Sequence, residues 1–186
     1  MSEHDHTTLT GLLALVRDRI EAGLHDRDAA ARLPVLATRD AQGWPSARTM
    51  VMRGFDAHDW TLDIHSDADA AKVLQLTDGP RAALHVWDAE ARLQIRMRAH
   101  VVRLPHEEEK ALWQQVPEPS RAQYGAVPPP GTPIAAADAW HPNPRPARFA
   151  VLRARLLRIE ALHIGEIHRR ARYEREEGWQ GSWLVP

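Results

Sequence analysis

Apolar positions recur along this chain with two different periods. Between residues 7 and 25, Leu9, Leu12, Leu13, Val16, Ile20 and Leu24 repeat at steps of three and four, which predicts an amphipathic helix. Thr8 or Thr10 can cap it, and Gly23 lies close to its end. From residue 33 the period falls to two. Leu33 to Thr38 predicts a strand and Asp40-Ala41-Gln42-Gly43 a hairpin-type turn. Pro45 opens a second strand, where a missing N–H does least harm. Along Arg48 to Arg53 of that strand, Thr49 and Val51 share one face and Arg48, Met50 and Met52 the other. Trp60 to His65 predicts a third strand. Asp67 to Leu76 predicts a short helix, stopped by Asp78-Gly79-Pro80.

Arg81 to Trp87 and Arg92 to Leu104 predict a second hairpin around Asp88-Ala89-Glu90. Its second strand sets Leu93, Ile95, Met97, Ala99 and Val101 against Arg92, Gln94, Arg96, Arg98 and His100. So polar a face suits solvent, a subunit interface or a polar ligand cleft. Pro105 to Val116 predicts a helix, with Glu107, Glu108 and Glu109 favourably placed in its first turn. Residues 117–147 hold most of the prolines and predict a long extended loop. Phe149 to Ile159 alternates again. Ala171 to Glu176 and Trp179 to Leu184 predict a last hairpin around Glu177-Gly178. The order is no regular βαβ alternation, so a parallel doubly wound sheet is not expected. The pattern predicts a mainly β fold, a closed or split antiparallel barrel with peripheral helices. We read residues 1–186 as a single domain, with a helix within 1–30, a Pro-rich loop at 117–147 and C-terminal strands at 148–186.

Composition narrows the function classes. A hydrophobic share of 44% in 186 residues is enough for one real core. A formal net charge of −1 gives no electrostatic reason to expect nucleic acid, and the basic run from Arg169 to Arg175 is offset by Glu166, Glu174, Glu176 and Glu177. No window approaches the roughly 18 apolar residues of a membrane span. The polar start Met1-Ser2-Glu3-His4-Asp5-His6 is unlike a secretory signal, and a cytoplasmic location is expected. Without cysteine there is neither a disulfide framework nor a thiol nucleophile. The 11 histidines, His4 and His6 among them, lack a ligating spacing on one helix, so no metal site is expected.

The chemistry is concentrated between Ala47 and Lys72. A cation within a strand is expensive to bury unless it meets an anion, and a phosphate suits the planar fork of Arg48. An outward-facing Arg48 would need no such partner, and the spacing alone leaves both readings open.

Four segments resemble one known family in order and spacing. They are Ala47-Arg48-Thr49-Met50-Val51-Met52-Arg53-Gly54-Phe55, His65-Ser66 through Lys72, Leu93-Gln94-Ile95-Arg96, and the tail from His168-Arg169-Arg170-Ala171-Arg172-Tyr173 to Trp179 and Leu184-Val185-Pro186. Together they resemble the pyridoxamine 5′-phosphate oxidase-like FMN-binding split barrels, over roughly Leu33 to Pro186. The resemblance implies a split β-barrel homodimer with FMN at the subunit interface. Arg48 and Lys72 resemble the cations that hold the FMN phosphate, and Ser66 a loop hydroxyl near the phosphate or ribityl chain. The backbone of Met50 and Val51 would lie against the flavin ring. Gln94 resembles a glutamine contributed by the second subunit, and Arg170 a tail arginine at the pyrimidine end, where a cation stabilises reduced flavin.

The departures lie in two places. An Arg-Ser pair usual before the lysine is replaced by Asp69-Ala70-Ala71, with Asp67 and Asp69 adding negative charge. On the substrate side Arg53 substitutes for a lysine. Glu166 stands where true pyridoxamine-phosphate oxidases carry an arginine, and Leu112 to Pro117 offers no cation to a substrate phosphate. A tail tryptophan is replaced by about Leu162. The resemblance thus implies an FMN-dependent oxidoreductase acting on an unidentified small molecule, with His168 as candidate acid or base and Trp140 with His141 as candidate lid. The alternatives are a non-catalytic flavin- or haem-binding redox buffer and a pyridoxamine/pyridoxine 5′-phosphate oxidase.

Overall fold

Thr8 opens the first helix, α1 (Leu9–His25): its hydroxyl accepts the Gly11 N–H at 3.0 Å. Leu12, Val16 and Ile20 are buried along one stripe of α1, as the period required. The Tyr173 hydroxyl donates to the Leu9 carbonyl at 2.8 Å and so fixes α1 to a strand near the other end of the chain. The computed structural model describes residues 5–186, and His4 lies outside them.

The strands and helices that follow are β1 (Val35–Arg39), β2 (Pro45–Thr49), β3 (Met52–Asp56), β4 (Thr61–Asp67), α2 (Ala71–Asp78), β5 (Arg81–Asp88), β6 (Leu93–Arg103), α3 (His106–Gln115) and α4 (Glu118–Arg121). The two-residue β7 (Ala126–Val127) and β8 (His141–Pro142) pair with each other. The chain continues through β9 (Phe149–Ile164), β10 (His168–Glu174) and β11 (Gly181–Leu184). The fold is mainly β. One antiparallel sheet runs β11-β10-β9-β6-β5-β1-β2, and β4 joins it through β9 and carries β3.

Strand β9 is the spine. Its Leu152–His163 stretch pairs with β6 on one edge. On the other edge β4 takes Phe149–Arg155 and β10 takes Arg158–Ile164, end to end. The end of the path at β2 and the end of the side branch at β3 are joined by Met50 and Val51 alone, yet among the described residues no ladder pairs them. The inner face carries the main core, with Leu36, Leu62, Ile64, Leu84, Leu93, Ile95, Met97, Leu152 and Leu156 beneath α1 and α2.

A second, smaller core of Leu104, Trp113, Val116, Tyr124, Phe149 and Val151 lies under α3. Trp113 and Tyr124 pack on Phe149 with ring centroids 5.4 and 5.0 Å away. Glu109, 1% exposed, fastens α3 to the sheet: it accepts two bonds from Arg103, at 2.8 and 2.7 Å, and the Val151 N–H at 2.9 Å.

Several predicted boundaries move. Arg48 to Arg53 is not one strand: the chain leaves its pairing with β1 after Thr49, the Met50 N–H donates to the Pro34 carbonyl, and pairing with β4 begins at Met52. The helix predicted from Asp67 begins only at Ala71, because Asp67 ends β4 and its carboxylate takes the Asp69 N–H in a local turn. The extended loop at 117–147 contains α4 and the β7–β8 ladder. The last hairpin turns through Arg175–Glu177 and Gly178, and Trp179 stands in the turn with φ +63°.

Candidate functional site

Arg48 faces inward. It pairs across the ladder with Leu36, which is 1% exposed, and directly paired residues share a face. The structure therefore decides against the outward-facing reading. Its guanidinium donates to Thr38 Oγ1 at 2.5 Å, Ser46 Oγ at 2.6 Å, Gln75 Oε1 at 3.3 Å and the Leu36 carbonyl at 3.4 Å. All four acceptors are neutral, so the side chain is oriented but its charge is not compensated. Desolvation lowers its pKa.

Lys72, in the first turn of α2, lies within electrostatic reach. Its pKa is lowered first by burial and then by Arg48, with Asp67 opposing. Among the described residues neither cation has a carboxylate within salt-bridge distance. Two half-buried cations that repel each other are held together by the fold, and such a pair calls for an anion. Ser66, 3% exposed, donates to the neighbouring Asp67 carbonyl at 3.1 Å and lies on the core face of β4.

The acidic residues of this loop are committed elsewhere. Arg148, which sequence reasoning missed, is 7% exposed and pairs with Asp67 at 2.7 Å and with Asp69 at 3.1 Å. Burial alone would raise the Asp67 pKa, but Arg148 and the Asp69 and Gly125 N–H groups outweigh it and hold the carboxyl below its usual range. Arg148 therefore compensates part of the negative charge that Asp67 and Asp69 bring to this loop, while Asp67 still acts on Lys72. The Gly125 N–H donates to Asp67 Oδ2 at 2.6 Å, from a backbone with φ +106°. A Cβ at Gly125 would meet the Asn143 carbonyl oxygen at 2.2 Å, so this contact needs glycine.

Gln94 and Arg170 lie on the other face of the sheet. The register places Gln94 opposite Leu162, and Leu162 opposite Arg170, in one row across β6, β9 and β10. Trp87, 45% exposed, extends the row on β5. Arg170 donates to Glu160 at 2.8 Å, and Arg96 approaches the same carboxylate at 3.7 Å. Burial tends to raise the Glu160 pKa, but these arginines and Arg158 lower it overall. On the same face a cleft of about 630 Å³ has Ala37 and Ala83 in its lining, beside Arg39, Arg81 and Arg98.

The remaining predicted residues are scattered. Arg53 is exposed on β3, where the register with β4 shifts between Met52 and Gly54. His168 is exposed at the first position of β10. Trp140, 49% exposed, belongs to a run from residue 129 to 147 that is exposed throughout, and among the described residues nothing brings it to Arg48 or Gln94.

Residues 14–104, which carry Arg48, Lys72 and Gln94, match the family model of the pyridoxamine 5′-phosphate oxidase FMN-binding domain. This segment, just under half of the chain, is similar to the pyridoxamine 5′-phosphate oxidase-like FMN-binding family. It is 29% identical over 165 residues to a pyridoxine/pyridoxamine 5′-phosphate oxidase of Nitrobacter hamburgensis, covering 87% of this chain and 65% of that protein. A similarly named protein of Rhodopseudomonas palustris is 30% identical over 155 residues, 81% of this chain and 62% of that one. The chain thus spans less than two thirds of these relatives. A pyridoxamine 5′-phosphate oxidase-related, FMN-binding protein of Nostoc punctiforme superposes with a TM-score of 0.72 at 26% identity, covering 95% and 96% of the two chains. PhzG of Burkholderia lata, solved with tetrahydrophenazine-1-carboxylic acid, shares the fold, with a TM-score of 0.76 at 22% identity and coverage of 100% and 97%.

The family's cofactor is FMN, and the residues present suit it. An inward arginine with only neutral acceptors and a desolvated lysine beside it form a donor set made for a phosphate dianion.

Proposed function

We propose that this protein is an FMN-dependent oxidoreductase acting on a small molecule, built as a split-barrel homodimer with each flavin between two subunits. The observation that carries the reading is the pair of unneutralised cations, Arg48 and Lys72. They would hold the phosphate, with Thr38, Ser46 and Gln75 fixing the Arg48 fork. Met50 and Val51, in the gap between β2 and β3, would offer backbone to the ring, and the Ser66 hydroxyl would serve the ribityl side.

The two-subunit arrangement is supported by the sheet faces. Arg48 shares the inner face with Leu36, while Gln94 and Arg170 share the outer face with Leu162. One flavin touches both sets most simply when the outer face belongs to a second copy. Leu162 would then leave an apolar wall between Gln94 and Arg170, where Arg170 stabilises negative charge on the pyrimidine end of the ring.

FMN supplies the redox chemistry, taking up and releasing two electrons, and this chain orients it and excludes water. His168 would exchange a proton with the substrate or solvent. The protein acts in the cytoplasm on this reading. Pyridoxamine phosphate is the substrate the residues support least, because Glu166 replaces an arginine that would hold the substrate and Leu112–Pro117 supply no cation for its phosphate.

The test is the visible spectrum of freshly purified protein, with identification of the pigment released by heat. Flavin bands and near-stoichiometric FMN are expected, together with a dimer in solution. A colourless protein that takes up no added FMN would overturn the reading. A protein that binds FMN but never accelerates electron transfer beyond free FMN would be a flavin carrier instead.

A further inference from the structure

Arg53 is set apart from the other arginines around it. The ladder between β3 and β4 shifts register at this residue, and such a bulge re-aims a side chain that regular pairing would align with its neighbours. His65, on the adjoining strand, and Tyr124, at the end of the segment after α4, both meet the Phe149 ring edge to face. Their centroids lie 4.8 and 5.0 Å from it, at 78° and 82°. Arg53 lies within electrostatic reach of both rings. The Asp67–Gly125 bond holds the backbone directly after Tyr124, so the phenol is fixed in place.

The neighbouring charges are already used. Arg121 donates to the Val116, Trp113 and Gln114 carbonyls at 3.0, 3.3 and 3.4 Å, closing the end of α3. Arg148 is held by Asp67 and Asp69. Arg153 is held by Asp63 at 2.7 Å, with Glu108 at 4.0 Å. Among the described residues Arg53 has no carboxylate within salt-bridge distance. One exposed guanidinium therefore remains, beside a buried phenol and a half-buried imidazole. Burial and then Arg53 push the His65 pKa down to about 4, against Asp63, so the ring is neutral at pH 7 and adds no second cation. Burial raises the Tyr124 pKa, so its hydroxyl keeps the proton it can donate.

We propose that Arg53, Tyr124 and His65 anchor the carboxylate of a small substrate, and that this makes a monocarboxylic acid, not a phosphate ester, the substrate class of the flavin site. The proposal rests on the reading that the flavin lies along Met50 and Val51, three and two residues before Arg53. A single planar guanidinium matches the two oxygens of a carboxylate, and Tyr124 supplies a further neutral donor. A phosphate dianion would bring two negative charges to one cation and so match it less closely in charge than a carboxylate does.

The test is calorimetric titration of FMN-loaded protein with benzoate and with phenyl phosphate at pH 7.5 and equal ionic strength. The flavin absorption is followed in parallel. Benzoate is expected to saturate and perturb the flavin bands, with phenyl phosphate at least about tenfold weaker. Arg53→Met should weaken benzoate by roughly tenfold or more while FMN content stays unchanged, and Tyr124→Phe by a smaller factor. Tighter binding of phenyl phosphate, no benzoate binding, or an Arg53→Met protein that binds benzoate normally would each overturn the proposal. Calorimetry on flavin-free protein separates the two readings. Failure to take up FMN sinks the proposed function, whereas loss of the benzoate preference in both forms sinks the carboxylate site by itself.

Discussion

Two arginines, Arg48 on β2 and Arg148 in the turn just before β9, live in opposite electrostatic worlds. Arg148 is 7% exposed and meets Asp67 and Asp69 at 2.7 and 3.1 Å. Arg48 is half-buried and meets only neutral oxygens. Burial of a charge is tolerable when its counter-charge belongs to the same chain, and then the pair is part of the architecture. When no counter-charge belongs to the chain, the cation is stabilised only by what arrives from outside. The contrast separates scaffold from site more sharply than exposure does.

The largest effect should come from breaking the paired corner. Arg148→Met leaves Asp67 buried without its partner and is expected to cost about 3–5 kcal/mol in urea unfolding. An Asp67→Asn/Arg148→Met double variant should recover much of that, and failure to do so would mean that Arg148 acts by packing. Breaking the unpaired corner should do the reverse. Arg48→Met is expected to weaken FMN binding by roughly 10- to 100-fold in a fluorescence titration, with stability shifted by no more than about 1 kcal/mol. An Arg48→Met protein that unfolded like Arg148→Met while keeping its flavin would erase the distinction.

The pH dependence sharpens the contrast further. The Asp67 pKa is depressed in the fold, so its stabilising contribution is fully present above its unfolded value near about 4 and is lost as pH falls through the folded value. Stability should therefore fall steeply as pH drops below about 4 and through the folded value, and Asp67→Asn should remove that steep phase. The Lys72 pKa is also depressed, but for a cation this means the charged form is disfavoured in the flavin-free fold. Flavin-free protein should gain stability as pH rises through the folded Lys72 pKa, and FMN binding should weaken over the same range. The smallest effect is expected at Trp140. Trp140→Ala should stay within about 0.5 kcal/mol of wild-type stability and leave FMN content alone, changing substrate kinetics only. Loss of FMN or of the dimer would assign the loop a structural role.

The strand pattern was legible because burial alternates as the sequence does: Leu93, Ile95, Met97, Ala99 and Val101 are all inside and Arg96, Arg98 and His100 outside. The Thr8 cap was legible for the same local reason. What the sequence hid was every choice between partners far apart in the chain. Arg148 is 81 residues from Asp67, and the only local signal was a cation just before a buried Phe149. Arg48 to Arg53 keeps a strand-like alternation through a place where the chain changes partner from β1 to β4, and alternation cannot report that. The inward direction of Arg48 was equally hidden, since both faces of its strand hold mixed residues. Of the candidate site, Arg48 and Lys72 came together as expected, whereas Tyr124 and His65 gained meaning only once Phe149 was seen between them.

The long strand β9 also governs how this chain can come to be folded. It is made late in synthesis, yet β4 and β6, which are made first, find their neighbour along its length. Until Phe149–Ile164 leaves the ribosome, both strands present unpaired edges, and the middle of the sheet cannot assemble from local contacts. A nascent chain stopped before Phe149 would carry eight of the eleven strands of the described residues and little of their cooperativity, and would be the species most dependent on a chaperone.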